Sequence, residues 1–208
     1  MLNDLKGLVE ECLKEFVRNY GNDAYPYELL TEGDAASLLF CILKNRMKGP
    51  KFSTFKIHSE LRPFIEEENK HKVIKRKGSE WEWAEHKPEN SGAVVDIVII
   101  DSDPEYSKKA EKSERKYWRI VSYPLEAFHA CIEVKIRVSG NIRNIKKDIS
   151  KLCKIREHNK QCLVYLTVVD RKATSEDIKE IKSTCVKRGL SDEFVSKSSI
   201  YRVQRSAR

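Results

Sequence analysis

The sequence lacks any apolar run that approaches the ~18 residues of a membrane span. Its first twenty residues place acidic side chains within an amphipathic pattern, whereas an export signal is basic and then uniformly apolar. We therefore expect a cytoplasmic protein that does not associate with a membrane. The six cysteines form no C-x-x-C pair, which excludes zinc-ribbon spacing, and we interpret them as reduced and mostly buried thiols.

Several common catalytic motifs are also missing. The sequence contains no P-loop, no G-x-G-x-x-G, no H-E-x-x-H and no G-x-S-x-G, and its five histidines show no metal-ligand spacing. ATP-driven and hydride-transfer functions therefore have no support in the sequence.

Positive charge is what the sequence has in excess, with 40 Lys and Arg against 32 Asp and Glu and a net charge of +8. Such a balance favours a polyanionic partner, either a nucleic acid or an acidic surface. The 208 residues fit a single domain over 1–208. We divide it into a core over about 31–170, an insertion over about 65–90 and an extension over 174–208.

Hydrophobic periodicity predicts an α/β fold with a mixed central sheet between helices. The predicted helices cover 3–19, 33–48 with Thr31 as N-cap, a segment starting after 139–141, and 174–187. The predicted strands cover 52–61, 93–100, 129–138 and 161–169. We expect Pro63 to end the first strand, a hairpin near Trp81 and Trp83, a loop or solvated helix over 102–116, and a short strand after Ser198.

Asp96 is the anomaly of the sequence because it lies inside the apolar run 93–100. Burial of an uncompensated carboxylate costs on the order of several kcal/mol, so a cation should lie beside it. Glu133 and Lys135, two positions apart on the predicted strand 129–138, leave the same face of that strand. If the two strands are neighbours, the three side chains converge.

Carboxylate oxygens suit Mg²⁺, with Mn²⁺ as a substitute, and a magnesium site next to a lysine suits phosphodiester hydrolysis. Two simpler interpretations stay open. Glu133 and Lys135 can lie on a solvated strand face that Arg137 continues. Alternatively, Asp96 and Lys135 can form a structural ion pair that binds no metal.

Val95-Asp96, followed after a 36-residue gap by Glu133-Val134-Lys135, resembles the D…E-x-K signature of the PD-(D/E)XK nuclease superfamily. Valine replaces the proline before the aspartate. The order of elements is similar to the superfamily's restriction-endonuclease-like αβββαβ core. The resemblance implies that Asp96, Glu133 and the Val134 carbonyl hold the metal and that Lys135 serves catalysis. It also implies a further catalytic glutamate, for which Glu32 leads and Glu60 competes.

Basic residues supply candidates for phosphate contacts. The helix after the E-x-K strand carries Arg143, Lys146, Lys147, Lys151 and Lys154, and the insertion carries Lys75, Arg76 and Lys77. The helix residues are equally compatible with a solvated helix face. The insertion can clamp a DNA backbone or stack a tryptophan on a base, or it can be a charged loop whose Trp81 and Trp83 pack on the domain.

We therefore expect a Mg²⁺-dependent DNA endonuclease of restriction, defence or repair, and a homodimer if both strands are cut. RNA stays open as a substrate. The alternative is a catalytically inactive nuclease-fold module that binds nucleic acid.

Overall fold

The structure is a computed structural model of the chain. It describes residues 2–21, 31–67, 70–78, 80–85, 92–115, 118–138, 140–170, 173–188, 190–195 and 198–203. No helix within these residues is long and apolar enough to cross a membrane.

The helices are α1 (Leu2–Gly21), α2 (Glu32–Arg46), α3 (Pro104–Lys109), α4 (Ile142–His158) and α5 (Ser175–Lys187). The first five strands are β1 (Phe55–Glu67), β2 (Lys70–Lys77), β3 (Glu80–Glu85), β4 (Val95–Asp101) and β5 (Glu111–Arg115). The remaining strands are β6 (Trp118–Pro124), β7 (Phe128–Ile136), β8 (Leu163–Val169), β9 (Leu190–Val195) and β10 (Ser198–Val203).

The strands form one mixed sheet in the order β3-β2-β1-β4-β7-β8-β10-β9, with β6 paired to β1 and β5 to β6. The β1–β4 and β4–β7 pairs are antiparallel, whereas β7 and β8 are parallel and joined through α4. Buried side chains of α1 and α2 cover one face, and those of α4 and α5 cover the other. The predicted α/β class and the αβββαβ order are confirmed by α2, β1, β4, β7, α4 and β8. The division into domains stays a prediction.

The predicted start of α2 is confirmed by a capping box. The Thr31 hydroxyl accepts a hydrogen bond from the Asp34 N–H at 3.2 Å, and the Asp34 carboxylate accepts one from the Thr31 N–H at 2.9 Å. Two otherwise unpaired donors of the first turn are thereby satisfied. This box makes Glu32 the first residue of the helix.

Strand β1 is longer than the sequence predicts, because Pro63 does not end it. Pairing with β4 stops at Leu61 and pairing with β2 begins at Phe64, while Pro63 itself lies opposite Tyr123 in the parallel ladder with β6. Glu60 has a φ of 57°, in the left-handed region. This turn reverses the side-chain alternation, so Leu61 packs on the α4 side although Phe55 packs on the α2 side.

The hairpin predicted near Trp81 and Trp83 is present as β2–β3, antiparallel from Lys72–Glu85 to Lys77–Glu80. The predicted segment 102–116 contains the short exposed helix α3, as expected, but Glu111–Arg115 within it forms β5. Strands β5, β6 and β9 have no counterpart in the predicted set. The strand predicted after Ser198 is β10, which pairs with β8.

Candidate active site

Asp96 and Glu133 lie side by side on neighbouring strands. Ile97 pairs with Ile132 across the antiparallel β4–β7 ladder, and the next pair in this register is Asp96 with Glu133. Both side chains leave the face that α4 covers, because Val98 and Cys131, which share their alternation, pack in the core on that side. The strand neighbourhood that the sequence argument required is therefore present.

The backbone of the E-x-K segment holds Asp96 in place. The Val134 N–H donates to Asp96 Oδ2 at 2.9 Å. A charge-assisted hydrogen bond of this kind fixes a carboxylate more firmly than a neutral one. The Val134 side chain is fully buried on the opposite face of the sheet.

Lys135 lies at the centre of four carboxylates. Its Nζ forms an ion pair with Glu32 and lies 3.2 Å from Asp148 Oδ2, 3.6 Å from Glu133 Oε2 and 3.9 Å from Asp96 Oδ2. Only 7% of the Lys135 side chain is exposed. Strand β7 ends at Ile136, and Arg137 adopts a φ of 57°, so the alternation does not continue to it. The solvated-face interpretation of Glu133 and Lys135 is therefore wrong.

The two candidates for the additional glutamate occupy different positions. Glu32 reaches Lys135 from the first turn of α2. Glu60 is exposed and stands opposite Asp96, between the β1–β4 pairs Ser59–Ile97 and Leu61–Val95. Among the described residues, the carboxylates within 4 Å of the Lys135 ammonium are those of Glu32, Asp96, Glu133 and Asp148. A metal-binding role for Glu32 or Glu60 stays a prediction.

Two further members of this group, Asp148 and Lys151, lie on helix α4 and are absent from the predicted site. Lys151 Nζ lies 2.6 Å from Glu133 Oε1 and 3.3 Å from Asp148 Oδ1, and it donates to the Val94 carbonyl at 2.8 Å. The expectation that Lys151 contacts phosphates is wrong, since only 6% of its side chain is exposed.

Helical spacing carries a signal for Asp148. It follows the buried Ile145 by three residues and precedes the buried Leu152 by four, which places it at the edge of the apolar stripe. We call the set of six residues the charged cluster: Glu32, Asp96, Glu133, Lys135, Asp148 and Lys151.

Burial changes the protonation of the charged cluster. Burial raises the pKa of Glu133 from 4.5 to about 8, with Asp96 and Asp148 acting in the same direction and the two lysines opposing them. Burial alone would lower the pKa of Lys135, but Glu133, Asp96 and Asp148 raise it above its ordinary value. The pKa of Lys151 is raised in the same way, chiefly by Glu133.

The donor chemistry of the charged cluster fits a hard divalent cation. Four carboxylates face two ammonium groups, so the fully ionised cluster carries a surplus of negative charge. Carboxylate oxygens are the ligands that Mg²⁺ and Mn²⁺ prefer. In this structure the carboxylates surround the Lys135 ammonium. Within the described ranges, no three Asp, Glu, His or Cys side chains lie close enough together to hold a metal ion as they stand.

Five of the basic residues proposed for phosphate contacts engage nearby acceptors. Lys75 donates to the Glu85 carbonyl at 2.6 Å and Arg76 to that of Gly78 at 3.0 Å. Lys77 lies 3.4 Å from Glu82, Lys146 pairs with Glu180 at 2.5 Å, and Lys147 donates to Asn144 at 2.7 Å. These are exposed or half-buried contacts, which water and salt weaken.

The two tryptophans of the hairpin are structural. Trp81 Nε1 donates to the Lys147 carbonyl on α4 at 2.7 Å, and the Trp83 ring lies 5.3 Å from the His158 ring. Both rings are partly buried against the core on the α4 side. This packing places the hairpin and helix α4, which carry the two sets of basic residues, against each other.

No known family model and no curated protein matches the chain. The solved structures that are similar to part of it include two structures of NucC. NucC of P. aeruginosa ATCC27853 in its cAAA-bound form is 12% identical, with a TM-score of 0.34 over 76% of this chain and 50% of that one. NucC of E. coli MS115-1, also cAAA-bound, is 12% identical, with a TM-score of 0.28 over 72% of this chain and 50% of that one. The chain thus spans half the length of each.

Proposed function

We propose that this protein is a metal-dependent DNA endonuclease. The observation that carries the proposal is the convergence of Glu32, Asp96, Glu133 and Asp148 on the buried ammonium of Lys135. Four separate elements supply these carboxylates. Burying Glu133, Lys135 and Lys151 beside one another is costly, and a catalytic requirement for them accounts for the arrangement.

Asp96, Glu133 and the backbone carbonyl of Val134 are the groups that would hold Mg²⁺ or Mn²⁺. When bound, the ion supplies Lewis acidity toward the scissile phosphate and lowers the pKa of a nucleophilic water. Glu133 must lose its proton to bind a cation, since burial raises its pKa to about 8.

Lys135 is the residue that would orient the attacking water or stabilise the charge that develops on the phosphate. Its raised pKa keeps it protonated throughout the neutral range. Glu32 anchors the Lys135 ammonium from α2 and would support the water shell of the ion. Preorganised charge of this kind is the main source of stabilisation at such sites.

The net charge of +8 supports a polyanionic substrate. Lys75, Arg76, Lys77, Lys146 and Lys147 are the proposed phosphate contacts. Their present acceptors are exposed or half-buried, so exchanging them for phosphate oxygens costs little. DNA is the proposed substrate and RNA the alternative, and cutting both strands would require a homodimer.

One observation favours a second candidate, a nuclease-fold module that binds nucleic acid without cutting it. Lys135 and Lys151 already supply counter-charges to the carboxylates, and no three acidic, histidine or cysteine side chains of the described part are grouped to hold an ion. In that case the charged cluster is structural.

Plasmid cleavage separates the two candidates. Supercoiled plasmid is incubated with Mg²⁺ or Mn²⁺ and wild-type, Asp96→Ala, Lys135→Ala or Lys108→Ala protein. We expect Asp96→Ala and Lys135→Ala to lower the cleavage rate about a hundredfold or more, since they remove a charged group from the reacting centre. Lys108 is an exposed residue of α3 and serves as the control, with wild-type activity expected.

Retention of a DNA gel shift by a wild-type protein that cuts nothing with either metal would favour the binding module. Unchanged cleavage by both site variants would overturn the site. Mn²⁺ affinities of Glu32→Ala and Glu60→Ala decide between these glutamates, since the true member of the site is the one whose loss weakens binding.

A further inference from the structure

The contacts between β7 and α4 form a closed ring in which carboxyl groups alternate with ammonium groups. Glu133 Oε2 faces Lys135 at 3.6 Å and Glu133 Oε1 faces Lys151 at 2.6 Å. Asp148 completes the ring, with Oδ2 at 3.2 Å from Lys135 and Oδ1 at 3.3 Å from Lys151. Each carboxylate therefore directs one oxygen to each lysine. We call these four residues the charge ring.

Three of the four side chains of the charge ring are buried, and one of them also contacts the backbone. The exposed fractions of the Glu133, Lys135 and Lys151 side chains are 1%, 7% and 6%. The Lys151 ammonium is also hydrogen-bonded to the Val94 carbonyl, two residues before Asp96. One lysine on α4 thus contacts the segment that leads into β4 and the carboxylate of β7.

We propose that Asp148 and Lys151 are positioning residues that fix the side chains of Glu133 and Lys135 for metal-assisted cleavage, an inference that rests on the proposed nuclease function. Lys151 holds the Glu133 carboxylate in one rotamer, and Asp148 prevents the Lys135 ammonium from collapsing onto Glu133. Groups that orient metal ligands and catalytic charges in this way are needed for full activity even though they touch neither substrate nor metal.

The test compares Asp148→Asn and Lys151→Met, which keep side-chain size and remove charge, with Lys151→Arg, which keeps the charge. The matched controls are Glu157→Gln, an acid of α4 that pairs with a lysine three residues away, and Lys108→Met, a lysine of α3 in a similar pair. Mn²⁺ binding is measured by calorimetry without DNA, and plasmid cleavage is measured at saturating Mn²⁺. Thermal unfolding establishes the folded fraction of each variant.

We expect Asp148→Asn and Lys151→Met to weaken Mn²⁺ binding or lower kcat by about 10- to 100-fold. The KM for DNA should not change, Lys151→Arg should restore part of the loss, and both controls should match wild type. The ¹⁵N NMR signals of the Lys135 and Lys151 ammonium groups should both shift in Asp148→Asn, because one carboxylate contacts both.

Two results overturn the inference while leaving the nuclease intact. One is wild-type Mn²⁺ affinity and kcat in both variants. The other is a loss that merely follows the folded fraction and that Lys151→Arg does not restore. A wild-type protein that neither binds Mn²⁺ nor cuts DNA defeats the proposed function instead, and the two failures are thereby distinguished.

Discussion

Glu133 is the most buried carboxyl group of the charged cluster, and its protonation is tied to the stability of the fold. Burial raises its pKa from 4.5 to about 8. Between these values the folded protein retains a proton that the unfolded chain has released. The free energy of unfolding therefore falls as the pH rises through this window, and each pKa unit is worth about 1.4 kcal/mol.

We predict that Glu133→Gln removes this pH dependence from the metal-free protein. Relative to wild type, the variant should gain stability as the pH rises from about 4.5 to 8, because glutamine stays neutral and leaves no buried carboxyl to deprotonate. Urea unfolding of both proteins across this range in the presence of a chelator measures the difference. Parallel profiles for the two proteins would show that Glu133 does not titrate in this window.

At the scale of elements, helix α2 delivers Glu32 to the charged cluster because its first turn is capped. The Thr31–Asp34 box fixes the residue at which the helix begins. If the helix began at another residue, the Glu32 side chain would no longer be directed at Lys135. Helix α5 starts with the same kind of box, formed by Thr174 and Asp177, but its first residue is Ser175.

We predict that Thr31→Ala lowers the free energy of unfolding by about 1 kcal/mol, the usual cost of losing an N-cap, and also weakens Mn²⁺ binding. The second effect follows from fraying of the turn that carries Glu32. Thr174→Ala is the matched control and should lose similar stability with no change in Mn²⁺ affinity. If the two substitutions changed the Mn²⁺ affinity equally, Glu32 would not belong to the metal site.

The elements that the sequence predicts correctly are those with an uninterrupted apolar pattern or, as in α2 and α5, a recognisable cap. Helix α4, with its stripe from Ile145 to Ile155, and strand β4 are of this kind. The extension of β1 past Pro63 was not predictable, because it depends on which strand pairs where. The left-handed backbone at Glu60 and Arg137 could not be predicted from residue type, because glutamate and arginine rarely adopt this conformation.

At the scale of the whole molecule, two sets of basic residues come from distant parts of the chain and meet through Trp81. The hairpin carries Lys75, Arg76 and Lys77, and α4 carries Lys146 and Lys147. A surface assembled in this way should bind phosphates through charge, and charge-driven binding to DNA weakens as salt displaces the protein.

We predict that replacing Lys75, Arg76 and Lys77 by alanine weakens the salt dependence of DNA binding. The magnitude of the slope of log K for DNA binding against log [salt] should fall by up to about 3, close to one unit for each phosphate that the variant no longer neutralises. Fluorescence anisotropy with a short duplex and Ca²⁺ in place of Mg²⁺, at several salt concentrations, measures the slope.

The control for this prediction is a triple variant that removes the same number of charges near the end of α2. It replaces Lys44, Arg46 and Lys48, which lie in or directly after the helix that covers the opposite face of the sheet. A similar decrease of slope in the control would mean that DNA is attracted by net charge alone.

The site itself was partly predictable from sequence. Asp96 stood out because a carboxylate in an apolar run needs a partner, and the two-residue spacing placed Glu133 and Lys135 on one strand face. Lys151 could not be identified, because a lysine on an amphipathic helix normally faces water. Its burial follows from the approach of α4 to β7, which only the tertiary structure determines.

Strand β1 links the charged cluster to the basic hairpin within a single piece of backbone. Its residues up to Leu61 pair with β4 beside Asp96, and its residues from Phe64 onward pair with β2. A strand advances about 3.3 Å per residue. The distance between the left-handed turn at Glu60 and the start of the pairing with β2 at Phe64 is therefore fixed by the backbone of β1. In a nuclease, the length of this strand would set the distance between the DNA phosphates bound by the hairpin and the phosphodiester bond that is cleaved.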